Sequence, residues 1–232
     1  KSVKDSRLRL LLGSILNKER LELAGNAVDI IFHTAAVKNI EISEFNPIET
    51  IDTNVNGTVN MIKMTMKSKP EKFLNISTDK AAEPSTLYGT TKQLSERLTS
   101  WANAHIEGTK FSSIRFGNVF ETRGNVLEIW EDEARRNLPL SITHPSMKRY
   151  FFHVDEAISF ILECLTLMNE GEIFVPKMQK YSIKEIASRI SKKHKIIGLR
   201  RGEKIEESLI TKVEMRNAKE RDNMWIITQY SP

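Results

Sequence analysis

A tyrosine and a lysine, Tyr88 and Lys92, lie four residues apart in a segment with the apolar spacing of a helix, so their side chains share one helix face. A free tyrosine has a pKa of about 10, and a neighbouring ammonium stabilises the phenolate and lowers that pKa. The pair could remove a proton from a sugar hydroxyl while a hydride leaves the same carbon. On its own such a pair is more often a packed tyrosine beside a solvated lysine, so the elements around it decide its meaning.

Apolar runs and helical patterns alternate along the first half of the chain. Four continuous apolar runs predict buried strands, at residues 8–12, 27–33, 72–77 and 110–119. Apolar residues at helical spacing predict helices at residues 46–67 and 87–103. This alternation predicts an α/β fold with a Rossmann-like, doubly wound parallel sheet.

The second half predicts a smaller, mixed α/β lobe. Its predicted helices cover residues 125–136, 154–168 and 206–219, and a further helix begins after a capping box of Ser182 and Glu185. Its predicted strands lie within residues 138–149, 171–176 and 195–199.

Polar residues follow three consecutive predicted strands, in the segments 33–38, 77–92 and 117–119. In parallel α/β sheets, ligands bind beyond the carboxyl ends of the strands. One polar cluster at a strand end is common by chance, but three in succession are not. The sequence therefore predicts a ligand site at this edge of the sheet, and it would include Tyr88 and Lys92.

Composition excludes several classes of protein. With 232 residues, 40% apolar and 28% charged, the chain is typical of a globular domain. Its one cysteine, Cys164, excludes an internal disulfide and is expected in the core, and no apolar run reaches the roughly 18 residues of a membrane span. The net charge of +5 is mild, and the basic run at residues 192–195 has no interleaved aromatic residues. We expect a cytoplasmic protein that binds no nucleic acid, no membrane and no metal.

Six segments resemble the extended short-chain dehydrogenase/reductases, and more narrowly the polysaccharide-biosynthesis type UDP-N-acetylglucosamine 4,6-dehydratases of the inverting, soluble type. They occur in the family's order at residues 33–38 (HTAAVK), 46–58 (NPIETIDTNVNGT), 77–92 (STDKAAEPSTLYGTTK), 115–126 (RFGNVFETRGNV), 172–178 (EIFVPKM) and 200–204 (RRGEK). The most specific element is STDKA followed by YGTTK.

The resemblance implies catalytic roles for five residues of the segment 77–92. Tyr88 and Lys92 match the pair for hydride transfer at sugar C4, and Thr78 would hydrogen-bond the sugar. A ketone at C4 acidifies the C5 proton, which Lys80 would remove if burial and neighbouring groups lowered its pKa. Asp79 would protonate the departing C6 hydroxyl.

The resemblance also implies binding roles. The cofactor would be NADP, with NAD as the alternative, and its binding residues would be Ala35, Ala36, Lys38, Ser77, Tyr88 and Lys92. The UDP-sugar would contact Lys38, Asn118, Arg149, Arg200 and Glu203, with Arg200 on the diphosphate and Glu203 on the ribose. Asn54 would support the fold and the proton path.

Two implied domains follow from these assignments. Residues 1–118 and roughly 150–170 would form the Rossmann-like cofactor domain, and residues 119–149 and 171–232 the substrate-binding lobe. The helices at residues 46–67 and 87–105 commonly pair with a second subunit in the family, so we expect a homo-oligomer.

The chain departs from the family at its beginning. No GxxGxxG turn for the pyrophosphate occurs, and the run at residues 8–12 matches the family's third strand. We therefore expect that two strands with their helices, on the order of 60 residues, are missing and that Lys1 is not the natural start. Ser14 stands where the family usually has Asp against the adenine ring.

Three alternatives stay open. A UDP-sugar 4-epimerase needs Tyr88 and Lys92 but neither Asp79 nor Lys80. A non-catalytic nucleotide-binding relative would need none of the four, and a chain without its phosphate-binding turn could be inactive. Members that retain the C5 configuration often carry Met at the position of Tyr88, so the tyrosine favours C5 inversion by analogy.

Overall fold

Strands and helices alternate through residues 5–122 and 124–229, which the computed structural model describes. Lys1, expected not to be the natural start, and Arg123, within the segment 115–126, lie outside the described residues. The helices are α1 (Lys18–Gly25), α2 (Ile40–Phe45), α3 (Pro47–Ile51), α4 (Gly57–Ser68), α5 (Leu87–His105), α6 (Val126–Arg135), α7 (Val154–Leu167) and α8 (Ile183–Ile190). The strands are β1 (Ile30–His33), β2 (Lys72–Thr78), β3 (Lys110–Phe116), β4 (Asn118–Val119), β5 (Leu140–Ile142), β6 (Lys148–Phe152), β7 (Ile173–Pro176), β8 (Lys180–Ser182), β9 (His194–Ile196), β10 (Lys219–Arg221) and β11 (Met224–Ile227).

Within the described residues, the main sheet has six strands in the order β1-β2-β3-β7-β11-β10. The neighbours from β1 to β7 pair in parallel, whereas β11 pairs antiparallel with both β7 and β10. The predicted α/β class with a parallel sheet is confirmed. Parallel strands place their carboxyl ends at one edge, so the segments that follow β1, β2 and β3 meet there.

Helices cover both faces of this sheet because successive strand residues point to opposite sides. Phe73 of β2 packs with residues of α1, α4 and α5 in one core cluster. The next residue, Leu74, packs in a second cluster with Phe160 and Cys164 of α7. Cys164 is fully buried there, and burial raises the pKa of its thiol, so the expectation of a core cysteine is confirmed.

Two smaller sheets, β4-β6-β8 and β5-β9, follow the break after β3. Trp130 of α6, Leu140 of β5 and Ile183 of α8 pack together in a separate core cluster. The division into two domains stays a prediction, although β7 and β11, both from the segment 171–232, hydrogen-bond within the main sheet.

Two predicted elements are wrong. Residues 8–12 form no strand, and their leucines are 50–92% exposed, because no described strand pairs with their backbone N–H and C=O groups. Residues 206–219 form no α-helix: Glu206 makes an isolated β-bridge with Lys148, Glu214–Arg216 is a 3₁₀ turn, and Lys219 begins β10. Glu207 and Leu209 are both buried there, and residues two apart cannot share a helix face.

Smaller differences concern the ends of the predicted elements. The predicted strand 110–119 divides into β3 and β4, and a π-helical turn, Asp52–Asn56, separates α3 from α4. Of the helices within residues 5–122 and 124–229, none combines the length and apolar content that a bilayer crossing needs.

Candidate active site

The three predicted polar segments meet at the carboxyl edge of the main sheet. His33 at the end of β1 lies opposite Asn75 of β2, and Thr78 at the end of β2 lies opposite Phe116 of β3. The chain therefore brings the residues after His33, Thr78 and Phe116 to one side of the molecule.

Asp79 and Lys80 form a tight turn directly after β2. Thr78 is extended, and the 3₁₀ turn Asp79–Ala81 begins with its hydroxyl accepting a long, 3.5 Å hydrogen bond from the Lys80 amide. The same hydroxyl donates to Asp79 Oδ1 at 3.0 Å, and Lys80 Nζ donates to that oxygen at 2.9 Å. Asp79 is buried, so the turn holds a nearly dry ion pair at the strand end.

Helix α5 carries Tyr88 and Lys92 and begins beside this turn. The Thr86 hydroxyl caps α5 by accepting a hydrogen bond from the Gly89 amide at 3.2 Å. A Cβ atom at Gly89 would lie 2.5 Å from the Lys80 carbonyl oxygen, so only glycine permits this close approach. The glycine of the YGTTK segment therefore sets the distance between α5 and the Asp79–Ala81 turn.

We expect Gly89→Ala to destabilise the fold by about 1–3 kcal/mol, because the new methyl group collides with backbone rather than with a flexible side chain. If Lys80 is catalytic, as the family resemblance implies, displacing it by about 1 Å would also lower turnover on the order of 100-fold. Chemical denaturation and turnover measure the two effects. Thr90→Ala, at an exposed position of the same helix, is the control. Wild-type stability in Gly89→Ala would show that the two elements do not meet as described.

The pKa of Tyr88 differs from the sequence-based expectation. Burial raises it, while Lys80 and a hydrogen bond with Thr78 act in the opposite direction, and the net result is a raised pKa. The expected net lowering is therefore wrong for this structure. The lysine that stabilises the phenolate here is Lys80, at the same strand end as Asp79.

Lys92 lies deeper, and its surroundings lower the pKa of its ammonium. It is 3% exposed, and burial lowers the pKa of its ammonium to about 8 although Glu96 acts to raise it. His33 is buried nearby, and burial together with the charge of Lys92 lowers the pKa of His33 to about 3. His33 is therefore neutral at physiological pH, and its Nε2 lies 3.0 Å from the Thr58 hydroxyl.

Asn54 connects the segment after β1 to helix α5. Its side chain accepts a hydrogen bond from the Val37 amide at 2.7 Å and donates to the Val37 carbonyl at 3.1 Å. It also donates to the Thr91 hydroxyl at 2.9 Å. The π-helical turn Asp52–Asn56 carries Asn54, and such turns occur frequently at functional sites. The amide therefore fixes the backbone of Val37 between Ala36 and Lys38.

The other predicted cofactor residues lie in the segment after β1 and at the end of β2. Ala35 and Ala36 are half-buried and Lys38 is exposed, in the segment that follows β1. Ser77 is buried at the end of β2, and its hydroxyl has no hydrogen-bond partner.

Glu207 is a site residue that the sequence did not predict. Its side chain is 4% exposed, and its Oε1 lies 3.9 Å from Lys80 Nζ, on a segment distant in the chain. Burial raises the pKa of Glu207, and Asp79 adds to this, against the opposing charges of Lys80, Arg149 and Lys204. The two glutamates at positions 206–207, shortly after the RRGEK segment, could have indicated a site residue. The helix predicted for residues 206–219 instead suggested a solvent-exposed polar face.

Lys80 therefore lies between two carboxylates. Burial lowers the pKa of its ammonium, but Asp79 and Glu207 outweigh burial, and the net pKa is raised although Arg149 opposes them. The expected lowering of the Lys80 pKa is therefore wrong for this structure. Asp79 Oδ2 and Glu207 Oε2 are both buried without a hydrogen-bond partner. Buried oxygens of this kind are costly unless donors reach them. A ligand with several hydroxyl donors would satisfy them.

Most of the predicted substrate residues contact protein groups in this structure. The Arg149 guanidinium donates to the carbonyls of Lys148, Lys204 and Ile205 at 2.7–2.9 Å, and it lies 3.8 Å from Glu203. This network holds the segment that leads to Glu207.

Arg200 and Asn118, two further predicted substrate residues, also contact protein groups. Arg200 is exposed and pairs with Glu41 of α2 at 3.0 Å, and its amide donates to Glu203 Oε2 at 3.1 Å. Asn118 donates to the Tyr150 carbonyl at 3.1 Å.

Comparison with known proteins gives a consistent set of relatives. A family model described as polysaccharide biosynthesis protein matches residues 1–229. A Campylobacter jejuni protein named UDP-N-acetylglucosamine 4,6-dehydratase (inverting) is 36% identical over 95% of this chain and 68% of its own length. A Methanocaldococcus jannaschii protein named an uncharacterized membrane protein is 38% identical over 97% of this chain and 72% of its own length. A Rickettsia bellii protein named UDP-glucose 4-epimerase is 32% identical over 97% of this chain and 69% of its own length.

Among solved structures, Pen from Bacillus thuringiensis superposes with a TM-score of 0.91 at 34% identity. The alignment covers 94% of this chain and 72% of Pen. Together with dehydratase and epimerase structures of lower identity, such as DesIV from Streptomyces venezuelae at a TM-score of 0.82, it confirms the predicted Rossmann-like fold.

Proposed function

Because the chain belongs to the polysaccharide biosynthesis family of nucleotide-sugar dehydratases and epimerases, we propose that it is a UDP-N-acetylglucosamine 4,6-dehydratase. The observation that carries the proposal is the buried contact of Lys80 with Asp79 at 2.9 Å, next to Tyr88. An epimerase exchanges the configuration at C4 and moves no proton at C5 or C6. A dehydratase needs a base and an acid at those carbons, and Lys80 and Asp79 have these two chemistries.

Three side chains divide the proton transfers. Tyr88 takes the proton of the C4 hydroxyl, and Lys80, whose positive charge stabilises the phenolate, supports that step. Once C4 carries a ketone, the C5 proton is acidic enough for a neutral amine to remove, and Lys80 becomes that amine by passing its ammonium proton to Asp79 across their 2.9 Å contact. Asp79 protonates the C6 hydroxyl as it leaves, because a neutral water leaves far more readily than hydroxide.

The residues of the strand ends fit a nicotinamide dinucleotide. When bound, NADP or NAD supplies hydride acceptance and hydride return, which no side chain supplies. The buried hydroxyl of Ser77 without a partner fits a polar ligand at this edge. Ala35, Ala36 and Lys38 would line the same ligand on the other side, with Tyr88 and Lys92 facing it from α5.

Mass spectrometry of the nucleotide sugar tests this function. The purified protein is incubated with UDP-N-acetylglucosamine and with NADP or NAD in parallel samples. We expect a product lighter by one water. The cofactor that gives the faster formation of this product is the preferred one. A changed sugar of unchanged mass would favour the epimerase, as in the Rickettsia relative. Binding without any product would favour a non-catalytic nucleotide-binding protein.

A homo-oligomer stays a proposal. Exposed apolar side chains occur on α3 and α5, among them Ile48, Leu94 and Trp101. They support the pairing of these helices with a second subunit, as the family resemblance implies. Light scattering on the purified protein tests it, and a monomer at micromolar concentration would contradict it.

A further inference from the structure

Glu207 is the second carboxylate at Lys80, and it reaches this lysine from a distant part of the chain. It comes from an irregular segment more than a hundred residues along the chain, yet it is buried and its Oε1 lies 3.9 Å from Lys80 Nζ. Asp79 Oδ1 lies 2.9 Å from the same nitrogen. The ammonium is therefore in ion-pair contact with one carboxylate from its own turn and one from the distant segment.

We propose that Glu207 is a positioning residue, which holds Lys80 at the strand end and sets the pH at which its amine becomes a base. The inference deepens the proposed function and rests on it for its meaning in catalysis. The contact itself and its effect on the proton of Lys80 belong to the protein alone, so they can be measured without turnover.

The segment around Glu207 is held firmly enough to serve this purpose. The guanidinium of Arg149 binds the carbonyls of Lys204 and Ile205 at 2.7 and 2.9 Å, just before Glu207 in the chain. Lys204 Nζ lies 3.6 Å from Glu207 Oε2. Leu209, two residues further on, packs in the core with residues of β7 and β11. The carboxylate is thus fixed from both sides along the chain.

The direction of the electrostatic effect follows from the charges that face Lys80. Negative charges on Asp79 and Glu207 favour its ammonium form, while burial and the positive charge of Arg149 favour its neutral form. Tyr88 also faces this group, and Lys204 faces Glu207 from the other side. A base must be neutral before it accepts a proton, so the carboxylate of Glu207 delays base formation to higher pH.

Replacing Glu207 by glutamine keeps the shape of the side chain and removes its charge. The pKa of Lys80 should then fall by about 1–3 units, the usual effect of a single opposite charge at this distance. Glu207→Asp keeps the charge on a shorter side chain and should lower the pKa by a smaller amount. Glu206→Gln makes the same charge change one residue earlier, where the carboxylate is exposed and pairs with Lys148 and Lys180.

Competitive labelling with acetic anhydride across a pH series measures the proton affinity of Lys80, because only the neutral amine reacts. Peptide mass spectrometry follows Lys80, and exposed Lys184 in the same digest is the internal reference. We expect the labelling midpoint to fall in the order wild type, Glu207→Asp, Glu207→Gln, with Glu206→Gln equal to wild type. An unchanged midpoint in Glu207→Gln would overturn the proposal. If that variant does not fold, an unchanged midpoint in Glu207→Asp does so.

The kinetic experiment separates this proposal from the proposed function. With UDP-N-acetylglucosamine, the acidic limb of the kcat profile should move to lower pH in Glu207→Gln, and maximal kcat should fall because Lys80 loses one of its two supports. A purely structural role would lower kcat without moving the limb. If the wild type forms no dehydrated sugar, the proposed function fails, while the labelling series still decides the role of Glu207.

Discussion

We expect Lys80→Ala to lower kcat for the loss of water from the nucleotide sugar by about 100- to 10,000-fold. The reason is that Lys80 is the amine that contacts Asp79 at the strand end, at 2.9 Å. Without it, the C5 proton has no base and the phenolate of Tyr88 loses its stabilising charge. Turnover of UDP-N-acetylglucosamine, followed by mass spectrometry, measures the effect.

Lys80→Arg is the matched control for charge. It keeps a cation between Asp79 and Glu207, but a guanidinium does not lose its proton in proteins, so it cannot serve as a base. We expect Lys80→Arg to be inactive as well, and both variants to bind UDP-N-acetylglucosamine in calorimetry. Wild-type turnover in either variant would remove Lys80 from the mechanism.

Arg115→Met lowers the free energy of unfolding by about 3–5 kcal/mol, the usual cost of removing one partner of a buried ion pair. Arg115 is 1% exposed and Glu96, its partner on α5, is 0% exposed. The guanidinium donates to both oxygens of Glu96 at 2.7 and 3.0 Å and to both oxygens of Glu214 at 2.8 and 3.0 Å. It also donates to the Leu209 carbonyl at 3.1 Å.

This network connects the helix that carries the candidate catalytic tyrosine with the segment that carries Glu207. Urea denaturation measures the loss, and Arg135→Met is the control, because Arg135 is exposed and contacts its own helix, at Asp132 (3.6 Å) and the Glu131 carbonyl (3.3 Å). The control should change stability by less than about 1 kcal/mol. A similarly small change in Arg115→Met would show that the buried network contributes little.

The pH dependence of the same variant provides a second readout. Burial acts to raise the pKa of Glu214, but hydrogen bonding and charge from Arg115 outweigh it, so the net pKa lies below its ordinary value of 4.5. Stability from this pair is therefore fully present above pH 4.5 and is lost as the pH falls through the lower, folded-state pKa. Without Arg115, this part of the acid dependence should disappear.

The position of the candidate site could be predicted because it follows from the sheet. Continuous apolar runs marked β1, β2 and β3, and parallel strands necessarily bring their carboxyl ends together. Asp79 and Lys80 directly follow a strand and precede Tyr88 by nine and eight residues, but their catalytic roles were implied by the resemblance of the STDKA and YGTTK segments to the family. Local order along the chain was enough to place these residues at one edge.

Glu207 and the proton affinities could not be predicted in the same way. The segment that holds Glu207 has the composition of a polar helix, and its irregular course follows from its contacts with Arg149 and the core. The raised pKa of Tyr88 depends on its burial, and the raised pKa of Lys80 depends on Asp79 and on Glu207, which lies far away in the chain. The run at residues 8–12 has the apolar character of a strand, but a strand also needs a partner for its backbone.

The most direct test of the account is the incubation of UDP-N-acetylglucosamine with the purified protein in heavy water. Removal of the C5 proton by Lys80, followed by reprotonation of C5 from solvent, predicts a product that lacks one water and carries one deuterium on C5. Mass spectrometry detects both changes, and proton magnetic resonance identifies the labelled carbon. A nucleotide sugar of unchanged mass, with no deuterium on carbon, would contradict the assignment of Lys80 and Asp79 to the elimination of water.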